Sequence, residues 1–174
     1  VAKEPGDFVF FRDTPIKPPS GRVEFHSSLW EQMGFEPMID YMPPTEGREN
    51  TPELYQKYPL HLVNHKIRTK FHSSYTLMPW LSEIYPEGWV ELNPQDAEER
   101  GIKEGDLAEV FNDRGKLVLK THINPGIRPG VVSLQNGWWI KQGANSSTLT
   151  NDGHTPIGYG HTLNSTLVEV RRAQ

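Results

Sequence analysis

Between Trp89 and Leu134 the sequence breaks every few residues at a turn signal, so whatever it folds into must be assembled from short strands and at most one short helix. Asn93 before Pro94 starts that helix: the Asn side chain can accept from an orphan N–H, Pro at the first helical position loses no bond, and Asp96 puts negative charge in the first turn. Gly101 ends it, because a left-handed residue without Cβ suits the C′ position, and Ile102 can then fold back over Ala97. The expected helix is Pro94 to Arg100. Leu107, Val110 and Phe111, then Leu117, Val118, Leu119 and Ile123, are strand-length apolar runs separated by Asn112-Asp113-Arg114-Gly115, which predicts a hairpin. Turns at Asn124-Pro125-Gly126 and Arg128-Pro129-Gly130 lead into Val131 to Leu134. One short helix among punctuated strands describes a small barrel better than a doubly wound sheet.

The length of 174 residues allows one domain with a core, or a domain with an appendage. A net charge of −4 argues against nucleic acid, whose binding face is normally basic. No apolar run reaches the ~20 residues of a membrane helix, so no direct membrane contact is expected. The chain has no cysteine, which excludes a disulfide scaffold, a thiolate zinc site and an iron–sulfur cluster held by these residues.

Residues 1–57 read as an irregular segment. Thr14-Pro15, Pro18-Pro19-Ser20-Gly21 and Pro43-Pro44 leave only a strand at Gly21 to Phe25 and a helical turn from Ser28 to Met33 ending at Gly34. The segment is either a disordered leader or a tail packed on the barrel or on a neighbouring domain. Val1 in place of an initiator Met favours a fragment of a longer protein. From Tyr58 the pattern tightens: Tyr58 to Val63 is β-prone and runs into a basic patch, Asn64 to Ser74, that is either a solvated loop or a set of donors for a phosphate or polar heterocycle. Gly137-Trp138-Trp139 and the polar run Gly143 to His154 are either a second ligand loop or a mobile one, with one Trp ring expected to pack in the core and the other to be partly exposed. Thr166 to Val170 is a closing strand. No G-x-S-x-G, Walker or G-x-G-x-x-G motif occurs.

The ordered set Tyr58-Pro59-Leu60, His72-Ser73, Leu92-Asn93-Pro94, Asp96-Ala97, Gly101-Ile102, Gly105-Asp106, Val110, Asn112, Gly115, Arg128-Pro129-Gly130-Val131, Gly137-Trp138, Asn145, Leu149-Thr150 and Leu167 to Val170 resembles the C-terminal molybdopterin-dinucleotide-binding domain of the dimethyl-sulfoxide-reductase family of molybdenum or tungsten oxidoreductases. The resemblance covers residues 58–172, and Ser20-Gly21-Arg22-Val23-Glu24 with Met33-Gly34-Phe35 is similar to the linker that precedes that domain. Ile16 to Pro19, inserted between Thr14-Pro15 and Ser20-Gly21, depart from the linker pattern.

The resemblance implies a mainly β fold, a six-stranded double-psi β-barrel of the aspartate-decarboxylase type with short helices. Residues 1–57 would be linker and 58–174 the barrel domain. It implies a bis(molybdopterin guanine dinucleotide) cofactor with Mo or W, covered on one side by this domain. An iron–sulfur cluster would lie only in an N-terminal part outside this chain. Implied partners are the remaining domains of the same catalytic subunit and an iron–sulfur electron-transfer subunit. Asn64, His65 and Lys66 match the loop entering the cofactor funnel, where His65 and Lys66 replace the family's Gly-Arg, and Lys66 or Arg68 would offset phosphate charge. His72 and Ser73 match the step at the pterin; Gly137, Trp138 and Asn145 match the later loop, joined by Asp152. No catalytic residue and no metal ligand is expected here, and the isolated chain is expected to be inactive. The alternative is a free-standing barrel serving as a protein-interaction module. The self-cleaving decarboxylase use of the fold is excluded, because no Gly is followed by Ser.

Overall fold

The computed structural model describes residues 9, 12–14, 17–18, 20–155 and 158–174. Val1, Pro15, Ile16 and Pro19, on which parts of the linker reading rest, lie outside the described residues. The chain forms two units, Val1–Met42 and Pro43–Gln174.

In the first unit, α1 (Ser28–Gln32) is capped by Ser27, whose Oγ accepts from the Trp30 N–H at 3.3 Å, and Gly34 follows at φ +78°. The strand expected at Gly21 to Phe25 does not form. Side-chain bonds to the backbone win there: Ser20 Oγ accepts from the Arg22 N–H and Glu24 from the Ser20 N–H, while exposed Val23 and Phe25 have no sheet to join. A single bridge, His26 to Met38, replaces it.

In the second unit, α2 (Pro52–Lys57) leads into β1 (Leu60–His65), α3 (Pro79–Ile84) into β2 (Trp89–Leu92), and α4 (Pro94–Glu99) into the β3 (Leu107–Phe111) and β4 (Lys116–Ile123) hairpin. The chain then forms β5 (Val131–Gln135), two 3-10 turns at Ile140–Gln142 and Ser146–Thr148, and β6 (Thr166–Arg172). The six strands close into a barrel in the order β1-β5-β2-β4-β3-β6. β1 runs parallel to β5 and β2 parallel to β4, and the other four pairs are antiparallel. The fold is the double-psi β-barrel. β1 extends through Asn64 and His65, which composition had grouped with the polar patch, because their backbones pair with Leu134 and Gln135.

Helix α4 begins and ends as its sequence requires. Asn93 Oδ1 accepts from the Gln95 N–H at 2.8 Å, and the N–H groups of Gly101 and Ile102 return to the carbonyls of Glu98 and Ala97, the Schellman arrangement. Gly101 takes φ +63°. Asn93 also donates to the Ile127 carbonyl, and buried Asp96 accepts from the Gly130 N–H, so the helix locks the two turns that precede β5. The barrel interior is filled by Leu60, Leu62, Val90, Leu92, Val110, Val132, Leu134, Val168 and Val170. Along β4 the alternation is strict: Leu117, Leu119 and Thr121 point inward, while Lys116, Val118 and Lys120 point out. Leu134→Ala, which opens a hole in this interior, is expected to cost ~2–5 kcal/mol of unfolding free energy, and Val118→Ala on the exposed face under ~0.5 kcal/mol, in paired denaturant titrations.

Candidate functional site

Strand directions determine which loops can meet. Since β1 and β5 are parallel and β2 and β6 are antiparallel to them, β1 and β5 end where β2 and β6 begin. The β3–β4 hairpin turns at that same end, because β3 is antiparallel to β6 and β4 parallel to β2. This rim therefore carries the loop from Lys66 to Gly88, the turn Asn112 to Gly115, and the loop from Asn136 to Ser165; α4 and the turns at residues 103–106 and 124–130 occupy the opposite end.

The loops are in direct contact. Gly137, at φ +90°, lies so close to the first loop that a Cβ there would stand 1.8 Å from the His72 carbonyl oxygen and 3.2 Å from the Ser73 nitrogen. Thr76 Oγ1 donates to the Gly137 carbonyl at 3.1 Å, and the Asn136 N–H to the His65 carbonyl at 2.9 Å. A Cβ on Gly88 would meet Ala144 Cβ at 2.4 Å and Trp138 Nε1 at 3.2 Å. His72 and Tyr75 adopt left-handed backbone angles, φ +54° and +68°, a conformation that costs non-glycine residues energy and recurs in ligand-binding loops.

A cleft of about 680 Å³ opens between these loops, lined by Ser73, Leu77, Trp138, Trp139, Ile140 and Asn145, with Lys141 and Gln142. Trp138 is 5% exposed and Trp139 51%, the one-in, one-out division expected of the pair. Asn145 Oδ1 accepts from the Ser147 N–H at 2.9 Å, which fixes the side chain and leaves its amide NH₂ available. Ser73, Trp138 and Asn145 thus share one cleft, while Gly137 and His72, which meet beside it in the chain, do not line it. The other predicted residues lie around it. Asn64 is at the rim end of β1 with its amide buried. His65 turns away, its Nδ1 2.6 Å from Ser133 Oγ and its Nε2 3.8 Å from Glu91. Lys66 is exposed over the Phe71 ring, and Arg68 lines a neighbouring cleft of about 480 Å³ with Thr69, Lys70, Phe71, Tyr75 and Trp80. Asp152 is exposed in a turn built by Asn151, whose side chain donates to the Ser165 carbonyl and accepts from Gly153 N–H and Thr162 Oγ1; it does not line the cleft.

Among the described residues, seven buried side-chain polar atoms have no hydrogen-bond partner, and six of them sit at this rim: both amide atoms of Asn64, Thr69 Oγ1, Lys70 Nζ, Gln135 Nε2 and Trp138 Nε1. Buried polar groups are otherwise nearly always paired, and each orphan costs about 1–3 kcal/mol, so a concentration at one end marks a place completed by something else. The orphans are mostly donors. Lys70 Nζ lies over the Trp138 ring, 2.7 Å from its centroid, and burial pushes its pKa down to about 8.

Against known proteins, the model of the molydopterin dinucleotide binding domain matches residues 60–167. The chain belongs to this family. It is 34% identical over 181 residues to the dimethyl sulfoxide reductase DmsA of Haemophilus influenzae, and 32% identical over 177 residues to the probable dimethyl sulfoxide reductase chain YnfF of Escherichia coli. Those alignments cover 93% and 91% of this chain but 22% of each relative, so the chain spans under a quarter of their length. Acetylene hydratase from Pelobacter acetylenicus superposes with a TM-score of 0.76 at 25% identity, over 89% of this chain and 24% of that one.

For a molydopterin dinucleotide binding domain, the donor-rich rim is chemically apt: a dinucleotide offers phosphate oxygens and heterocycle acceptors to unpaired N–H and O–H groups, and flat rings to Trp138 and Trp139. The cradle where the Gly137 backbone meets His72 leaves no space for a side chain. Residues missed by sequence reasoning hold this rim together. Arg114 Nε and Asn112 Nδ2 both donate to the Leu149 carbonyl, at 2.7 and 2.8 Å, and the Arg114 guanidinium forms a two-point ion pair with Glu46, at 2.7 and 2.9 Å. Glu46 also accepts from the Leu167 N–H. The hairpin turn is therefore a buttress for the loop bearing Asn145. The only signal in the sequence was the Asn-Asp-Arg-Gly turn itself, which says nothing of partners distant in the chain. Gln135 and Gly88 carried no signal.

Gly137→Ala is expected to cost at least ~1–2 kcal/mol from its backbone angle alone, with the clash against His72 added, and to raise amide exchange across Phe71 to Ser74. Lys70 provides a pH test. Its amine binds its proton less readily when folded than when unfolded, so between pH about 8 and the ordinary lysine value the unfolded chain holds more protons and stability rises with pH. The stability of the wild type relative to Lys70→Met should accordingly increase from pH 7.5 to 10, read from denaturant midpoints at each pH.

Proposed function

We propose that this chain covers one side of a bis(molybdopterin guanine dinucleotide) cofactor carrying Mo or W, as the terminal domain of a larger redox enzyme. The observation that carries the reading is the gathering of six unpaired buried polar atoms at the rim where Gly137 meets His72. Ser73 and Asn145 hydrogen-bond polar ring or phosphate groups, Trp138 and Trp139 supply flat apolar faces, and Asn64 meets the ligand from the end of β1. The cofactor supplies two-electron or oxygen-atom-transfer chemistry at its metal. The residues of this chain bind it, orient it and exclude water on their side. Sulfoxide reduction is the activity named for the relatives YnfF and DmsA, and it fits the class of reaction proposed for the full enzyme.

The remaining domains of the same subunit supply the metal ligand, the substrate channel and any iron–sulfur cluster, and an iron–sulfur subunit delivers electrons. Residues 1–57 act as the linker from the preceding domain, its last part from Pro43 lying in one unit with the barrel, to which Glu46 ties it. The protein-interaction alternative has no observation in its favour comparable with the unpaired rim.

Two measurements test the reading. The isolated chain should show no turnover of any oxoanion, N-oxide or S-oxide even when supplied with cofactor, and measurable turnover overturns the division of labour. In the full enzyme, Ser73→Ala and Asn145→Ala should each weaken cofactor retention by ~1–3 kcal/mol, read as pterin content after dialysis; unchanged content in both removes them from the site.

A further inference from the structure

We propose that Lys70, with the Trp138 indole N–H and the Thr69 hydroxyl, forms a binding site for the diphosphate group of the dinucleotide. The inference rests on the capping function above and goes beyond it, because it names the residue that meets the phosphate charge.

The unpaired atoms at the rim are not a neutral assortment. Lys70 Nζ is a cation, Trp138 Nε1 and Gln135 Nε2 can only donate, Thr69 Oγ1 can donate, and Asn64 supplies the sole oxygen that can only accept. Among the described residues no carboxylate pairs with Lys70, and its ammonium, without a hydrogen-bond partner, lies over the face of the Trp138 ring. That face attracts an ammonium but does not accept its three N–H bonds, and burial lowers the lysine's affinity for its proton. A ligand suited to such a group is an anion rich in acceptors and lacking donors, which describes a phosphoanhydride and not a cation or a neutral amide. The geometry is also selective among the cations of this loop. Lys66 stands exposed over Phe71, and Arg68, Thr69 and Lys70 line the neighbouring cleft; from there Lys70 also contacts Trp138, the wall between it and the cleft shared by Ser73 and Asn145. Planar groups of the ligand then lie along Trp138 and Trp139 while its diphosphate reaches Lys70. To meet it, the ammonium rotates off the ring, which uncovers the indole N–H beside it.

The test uses the chain with inorganic phosphate, inorganic pyrophosphate and GDP as probes, followed by Trp fluorescence and by NMR of the lysine ε-CH₂ groups at low salt. Pyrophosphate and GDP should bind and raise the Lys70 pKa above its ligand-free value of about 8. Lys70→Met should weaken both by ~10-fold or more, Lys70→Arg by ~3-fold or less, and Lys103→Met, at the opposite end of the barrel, should change nothing measurable. Circular dichroism of Lys70→Met checks that the fold survives, and Lys70→Arg keeps the test decisive if it does not. Equal losses in Lys70→Met and Lys103→Met, or phosphate binding as tight as GDP, overturn the proposal. In the cofactor-loaded enzyme, full pterin content in Lys70→Met beside a loss in Ser73→Ala rejects the Lys70 site and leaves the capping function standing; a wild-type enzyme without pterin rejects the capping function itself.

Discussion

Because β1 and β5 lie side by side and point the same way, with His61 opposite Val131 through to His65 opposite Gln135, the chain leaves both strands at one end of the barrel and has to spend long connections there to return. Parallel neighbours cannot be joined by a tight turn, so the loops that follow β1 and β5 are the longest in the unit and both begin at this rim. The opposite end holds short connections and α4, which the Asp96 and Asn93 bonds make rigid. Closing the cylinder then forces the two long loops together, and Gly137 and Gly88 allow their backbones to approach where any side chain would collide.

The same barrel satisfies its polar groups unevenly. At the hairpin turn and elsewhere outside the cleft even strongly polar side chains find partners: Glu46 engages Arg114 at two points and the Leu167 N–H, Asn112 reaches the Leu149 and Leu167 carbonyls, and Arg100 holds Glu169 at 2.7 Å. Such charge-assisted, partly shielded bonds are the stronger kind, and they anchor the segment from Pro43 and the loop after β5 to the hairpin. Around the start of the two long loops the balance reverses, and donors on Asn64, Thr69, Lys70, Gln135 and Trp138 are left buried without acceptors. A site that must grip a polar ligand carries this cost in the free state, since groups already paired within the protein have nothing to offer. Thr121 Oγ1, in the barrel interior, is the exception outside the rim, and the structure offers no physical account of it.

Local chemistry was legible wherever a residue's role is complete within a few positions. The cap at Asn93, the Gly101 stop, the Asn112 to Gly115 hairpin and the Ser28 helical turn all form where the sequence placed them. The Gly21 to Phe25 strand failed because a strand needs a neighbour, and Ser20 and Glu24 offered the backbone nearer partners. For the site, the two loops were legible as polar runs bearing Ser73, Trp138 and Asn145, but His65 in the same patch turns to Ser133 and Glu91, and Arg68 lines a neighbouring cleft together with Lys70.

What the sequence determined by itself was a set of short elements with their ends, a membership carried by the order of many weak signals, and two loops with donors to spare. Tertiary structure decided which strands lie parallel, that both loops share one rim, that Gln135 is sealed beneath it at 1% exposure, and that Arg114 braces one loop through a carboxylate 68 positions away. The physical reason is range. Caps and turns are satisfied by bonds along the chain, whereas burial, side-chain direction and the pairing of charges depend on which distant strand closes the barrel.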